Sequence, residues 1–184
     1  MVRSPTRRLV LLRHAKSAWP DDVADRDRPL APRGRRDAPA AGRWLRKAGF
    51  VPDLVLCSTA RRARETWELA EGKLRAHPRT EFVQRVYGAT SAQLLELARE
   101  APGEVSTLLI VGHDPAMREL TLELASTEPG GAEAEAIGRV QAKYPTAAIA
   151  VLAFTAGWPE LGPGQARLAA FATPGDFGSR HAEG

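Results

Sequence analysis

The 184-residue sequence predicts an α/β domain on a mostly parallel sheet. Two observations carry that reading. Short apolar runs of strand length alternate with segments of helical periodicity, the pattern of strand–helix repeats. Three of those runs also stop at a polar cluster: Leu9–Leu12 at Arg13-His14, Leu54–Cys57 at Ser58 to Arg62, and Leu108–Val111 at Gly112-His113. Open α/β sheets bind ligands beyond the carboxyl ends of their strands, so clusters far apart in the chain can share one pocket.

The elements follow in order. Strand one runs from Arg8 to Arg13, then a polar loop, Ser17 to Gly34, carries Asp21, Asp22, Asp25 and Asp27. Helix one spans Arg35 to Ala48, with Ala38, Ala41, Trp44, Leu45 and Ala48 at helical spacing and Gly49 as its stop. Strand two is Asp53 to Cys57. Ser58 or Thr59 caps helix two, which runs to Ala70. Strand three is Glu81 to Val86, and Ser91 caps helix three, Ala92 to Glu100. Strand four is Thr107 to Val111. Asp114 as N-cap and Pro115 in the first turn start helix four, to Ala125. Thr127 to Gly131 breaks the chain before a shorter helix, Ala132 to Tyr144. Ala147 to Phe154 and Gln165 to Ala172 read as a final pair of strands. The sequence holds no internal repeat, so residues 1–184 are expected to form a single domain, with 1–6 and 174–184 flexible.

Composition narrows the function classes. Hydrophobic residues are 43% of the chain, and the mean hydropathy is −0.29. No apolar stretch approaches a membrane span, and the run after the charged N-terminus is too short for a secretion signal, so a cytoplasmic protein with no membrane partner is expected. The single cysteine, Cys57, excludes an internal disulfide and a thiolate metal cluster. The net charge of +4 arises from arginines interspersed with 22 acidic residues, the pattern of a solvated surface, and no nucleic-acid partner is expected.

The three clusters have a common chemistry. A guanidinium holds phosphate oxygens in a fork, and a neutral imidazole can attack phosphorus. Phosphoryl transfer spreads negative charge over three oxygens, so positioned arginines and helix N-termini are what it requires. Arg13, His14 and His113 fit these roles. Arg61 and Arg62 compete for one further place. No P-loop and no aspartate-rich metal motif occurs, and no metal or other cofactor is expected.

Arg13-His14-Ala15-Lys16-Ser17, Arg28-Pro29-Leu30 with Arg33-Gly34, Ser58 to Thr66 and Gly112-His113-Asp114-Pro115 together resemble the histidine phosphatase (phosphoglycerate mutase-like) superfamily, and most of all its SixA-type phosphohistidine phosphatases. The resemblance implies a three-layer α/β/α sandwich. It implies His14 as the nucleophile that carries a phosphohistidine intermediate, with Arg13, Arg62 and His113 as its catalytic partners. The pattern Ser-x-x-x-Arg-Ala selects Arg62 over Arg61. Ser17, Arg28 and Ser58 lie in the matched motifs and are expected to bind substrate.

Departures from the family pattern shape the substrate expectation. Ala15 stands where Gly is usual, and Pro20 where larger relatives carry a phosphate-binding Asn. Val86-Tyr87-Gly88-Ala89 lacks the Glu that serves larger relatives as general acid. An alkoxide leaving group needs a proton, so that loss favours an N–P substrate. Asp25 and Asp27 are the substitute acids, with an ion pair to Arg26, Arg28 or Arg33 as their alternative role. The chain is short for a lidded pocket, which suits a phosphohistidine on a signalling or phosphotransfer protein. The alternatives are a phosphatase of small phosphorylated substrates, esters or anhydrides, and a non-catalytic phospho-ligand or nucleic-acid binding module.

Overall fold

The computed structural model describes residues 5–178, which form one six-stranded sheet with helices on both faces. In chain order the strands are β1 (Arg7–Arg13), β2 (Leu54–Ser58), β3 (Arg79–Val83), β4 (Thr107–Gly112), β5 (Ile149–Phe154) and β6 (Arg167–Ala172). The helices are α1 (Pro32–Ala48), α2 (Arg61–Glu71), α3 (Ser91–Arg99), α4 (Ala116–Leu124) and α5 (Gly131–Ala142). The spatial order is β3-β2-β4-β1-β5-β6. The first four of these strands are parallel, and β5 and β6 join the β1 side antiparallel.

The near-continuous apolar character of β1, β2, β4 and β5 follows from burial on both faces. Successive side chains alternate between two cores. Leu9, Leu11, Leu56, Leu108 and Ile110 pack with α3, α4 and α5, while Val10, Leu12, Val55, Leu109 and Val111 pack with α1 and α2. The expected third layer is present.

Helix boundaries depart from the sequence reading where capping decides them. α1 begins at Pro32, three residues earlier than expected, because proline at a first-turn position gives up no hydrogen bond. Gly49 closes it with φ +78°, as its sequence suggests, and Phe50 N–H bonds back to the Leu45 carbonyl. Thr90, not Ser91, caps α3, in a reciprocal capping box with Gln93. Neither Ser58 nor Thr59 caps α2, whose N-cap position is Ala60. Asp114 does not cap α4, whose N-cap position is Pro115. The chain leaves β3 at Val83 and turns through a single 3-10 turn, Gln84–Val86. Beyond β6, Pro174–Asp176 form another such turn, held by an Asp176–Arg139 ion pair, and Phe177 packs at a tilt against Trp44. The rest of the segments expected to be flexible, 1–4 and 179–184, lies outside the described residues.

Candidate active site

The sheet order places the C-terminal ends of β1, β2 and β4 side by side. Arg13 ends β1, Ser58 ends β2, and Gly112 ends β4, so the next residues in each segment meet above the sheet. His14 N–H donates to the Gly112 carbonyl at 3.0 Å, which ties the two strand ends together. The rings of His14 and His113 then lie 5.1 Å apart.

His14 is 8% exposed. Its Nδ1 lies 2.8 Å from the Ala15 carbonyl oxygen, so Nδ1–H donates there and Nε2 keeps its lone pair. Burial, with His113, Arg62 and Arg13 adding like charge, lowers its pKa to about 3. His113 is lowered to about 4, chiefly by burial, with Arg62 and Arg13 assisting and Asp25 opposing. Both imidazoles are therefore neutral at pH 7. Arg62 Nη2 lies 3.5 Å from His113 Nδ1, and His113 Nε2 lies 2.7 Å from Ser58 Oγ. Because a guanidinium only donates, this geometry puts the His113 proton on Nε2, pointing to Ser58.

The arginines are held from behind. Arg13 donates to the Tyr144 carbonyl at 2.7 Å and lies 3.8 Å from the Asp114 carboxylate. Arg62, on the first turn of α2, donates to the Asp25 carbonyl at 2.6 Å and pairs with its carboxylate at 3.1 Å. Thr66, one turn further along α2, donates to the Arg62 carbonyl and accepts from Ala15 N–H, linking α2 to the His14 segment. The Nε–H donors of both Arg13 and Arg62 are buried without a partner among the described residues. Unpartnered guanidinium donors beside a neutral imidazole suit an oxyanion.

Arg13, His14, Ser17, Arg28, Arg62 and His113 line a single cleft of about 190 Å3. A larger cleft, about 280 Å3, lies between β3 and α3, but it gathers ion-paired surface residues such as Arg85 and Glu100 and no histidine. Chemistry rather than size therefore selects the site.

Four of the expected site residues have partners or positions the sequence did not indicate. Ser58 is fully buried and does not line the cleft: its Oγ accepts from Ala60 N–H and lies 2.7 Å from His113 Nε2. Arg28 lines the cleft, but its donors go to Ser17, the Ala18 carbonyl and Asp25, so it orders the loop. Asp25 does not line the cleft. Tyr87, Arg28 and Arg62 all donate to its carboxylate and hold its pKa at about 2, so it carries no proton to give at pH 7. Asp27 is exposed, in the same 3-10 turn, and also outside the cleft.

The sequence reading missed Lys16, Trp19, Asp114 and Thr146 as cleft residues. Asp114 was visible beside His113 but was assigned to the helix start. Burial raises its pKa, against the pull of Arg13 and the Arg118 N–H, and its Oδ1 is buried without a partner.

Comparison with known proteins agrees with this arrangement. Residues 9–89 match the model of the histidine phosphatase superfamily, branch 1. An uncharacterized protein of Mycobacterium tuberculosis is 45% identical over 163 residues, covering 89% of this chain and 99% of its own. The structure of a candidate phosphohistidine phosphatase SixA from Nakamurella multipartitia superposes with TM-score 0.81 at 31% identity, covering 94% of this chain and 98% of its own. Its counterpart from Agrobacterium tumefaciens gives 0.72 at 29%, covering 92% and 99%. With strand order, paired histidines and whole-chain similarity all in agreement, the chain belongs to the histidine phosphatase superfamily, as a SixA-type member.

Proposed function

We propose that the chain is a phosphatase working through a phosphohistidine on His14, with phosphohistidine of a signalling or phosphotransfer protein as its substrate. The observation that carries this is the His14 Nδ1–Ala15 contact, which leaves Nε2 as a buried, neutral nucleophile between two arginines. Nε2 attacks phosphorus, the bond to the leaving atom breaks, and its electron pair departs with the leaving group, which takes up a proton. Water then attacks the phosphorylated His14, releasing inorganic phosphate and restoring the imidazole. Arg13 and Arg62 meet the charge that develops on the phosphoryl oxygens, and His113 adds a ring that bound phosphate would favour in its protonated form. No bound metal is required for this counter-charge.

An imidazole leaves readily once protonated, so the weak acid equipment of the cleft suits an N–P bond. A second reading, hydrolysis of small phosphate esters, is supported by Asp114, whose carboxyl lines the cleft and is biased towards its protonated form. Asp114 replaces Asp25 and Asp27 as the proposed proton donor.

The test compares wild type with His14→Ala in EDTA, on a phosphohistidine-bearing protein and on an alkyl phosphate, with acid-labile enzyme-bound phosphate trapped by rapid quench. Wild type is expected to release phosphate from the first faster than from the second and to trap the label, and His14→Ala to do neither. Equal turnover by His14→Ala would overturn the nucleophile assignment. Turnover of the ester alone would move the substrate to small molecules.

A further inference from the structure

We propose that Trp19 is a platform for a planar ring on the leaving group, so that the site prefers phosphoryl groups carried on imidazole or another aromatic ring over those on aliphatic groups. The inference rests on the phosphatase reading above and goes beyond it by assigning the part of the substrate outside the phosphoryl group.

The cleft is small. At about 190 Å3 it falls below the range of roughly 300–1,000 Å3 typical of sites that enclose a whole ligand. A phosphoryl group that reaches His14 leaves the rest of its carrier at the rim. Trp19 stands at that rim, lining the cleft with Arg13, His14 and Lys16, yet 74% exposed. Besides the two histidines it is the aromatic side chain among the cleft residues. A large apolar ring left in water beside a polar, arginine-rich cleft is an informative exception to burial.

The ring is also braced. Its face lies over the Arg28 guanidinium, 3.1 Å from ring centroid to Cζ. Arg28 is itself 6% exposed and fixed by Ser17, the Ala18 carbonyl and Asp25. The backbone just before it is pinned: Ala18 N–H donates to the Pro29 carbonyl at 2.9 Å, and Ser17 bridges to Leu30. One face of the indole is therefore occupied by a rigid support and the rest is presented to solvent. A ring already ordered loses little freedom on binding, so stacking on it translates into affinity.

The test measures binding by calorimetry to the full chain, using phenylphosphonate and methylphosphonate, which share the phosphoryl-like head and are not turned over. Wild type is expected to bind phenylphosphonate about five-fold more tightly, the order of one aromatic pair. The ratio of the two affinities should fall to about one in Trp19→Ala and be largely kept in Trp19→Phe. Equal affinities in wild type, or an unchanged ratio in Trp19→Ala, would overturn the platform while leaving the phosphatase reading intact. Failure of wild type to bind either phosphonate, with no turnover in the His14 experiment, would bring down both.

Discussion

A carboxylate held by three donors and one that lines a cleft with an oxygen left unpartnered are different reagents, although both are aspartates near a cleft arginine. Asp25 is of the first kind, with Tyr87, Arg28 and Arg62 on its oxygens, and Asp114 is closer to the second. On an alkyl phosphate, Asp114→Asn is expected to lower kcat by about 10²-fold, the usual scale for a lost general acid. On a phosphohistidine substrate it should cost under tenfold. Asp25→Asn should instead raise KM on both substrates by loosening Arg62. A steady-state comparison with both substrates checks this, and a selective loss of alkyl phosphate turnover in Asp25→Asn would return the acid role to Asp25. Arg62→Ala is expected to lower kcat/KM by about 10²–10³-fold, the scale of a lost oxyanion donor. Wild-type kcat/KM in that variant would remove Arg62 from the phosphate clamp. Sequence could place Arg13, His14 and His113 at strand ends because strand polarity decides that, and the family pattern set Arg62 in the helix start after β2. It could not separate Asp25 from Asp114, because their difference lies in partners brought from distant segments: Tyr87 and Arg62 for one, the walls of the cleft for the other.

The elements were legible where a hydrophobic period runs uninterrupted, as in the four inner strands, the Ala38–Leu45 face of α1, and α2. They were less legible at their ends. Thr90 displaces Ser91 as a cap because its neighbour Gln93 completes the box, and the α1 start hides behind the prolines of the preceding loop. One contact invisible in the sequence sets how α1 and α2 pack. Gly42 on α1 faces the backbone of α2 so closely that an added Cβ would overlap the Ala70 carbonyl. The two helices can approach only because that carbon is missing. Gly42→Ala is therefore expected to destabilise the protein by about 2 kcal/mol, within the range for overpacking and despite alanine's better helix propensity. Equilibrium urea unfolding measures it, and a stabilised variant would show that the helices separate freely. Gly34 repeats the arrangement nearer the site, where the first turn of α1 lies against the Lys16 carbonyl.

At the scale of the whole molecule, two neutral histidines buried together couple stability to acidity. The folded pKa values of about 3 for His14 and about 4 for His113 lie below the ordinary 6.5, so below pH 6.5 the unfolded chain binds more protons than the folded one. Stability should fall as pH drops from 6.5 towards 4, with a slope of up to about 1.4 kcal/mol per pH unit for each histidine. Asp25 contributes in a separate window: its lowered pKa gives stability present above pH 3.8 and lost as pH falls through about 2. Urea titrations at pH 7, 6, 5 and 4 should show the slope in wild type and roughly half of it in His14→Ala; identical slopes would mean His14 protonates freely in the native state. The α/β class was readable from the alternation of strand-length apolar runs with helical segments, and the three-layer sandwich came from the family resemblance. The strand order was not readable, because the pairing of β1 with both β4 and β5 depends on segments far apart in the chain.

That central place of β1 has a consequence during synthesis. β1 is made before the other five strands of the sheet, and its neighbours β4 and β5 follow only after α1, β2, α2, β3 and α3. Until then its four apolar residues, Leu9 to Leu12, have no sheet to enter, and such an unpaired strand invites aggregation or chaperone capture. A nascent chain that ends before Thr107 can present Arg13 and His14 but neither their wall nor their partner ring. Phosphatase competence should therefore arise late and in one step, as β4 and β5 close around the first strand made.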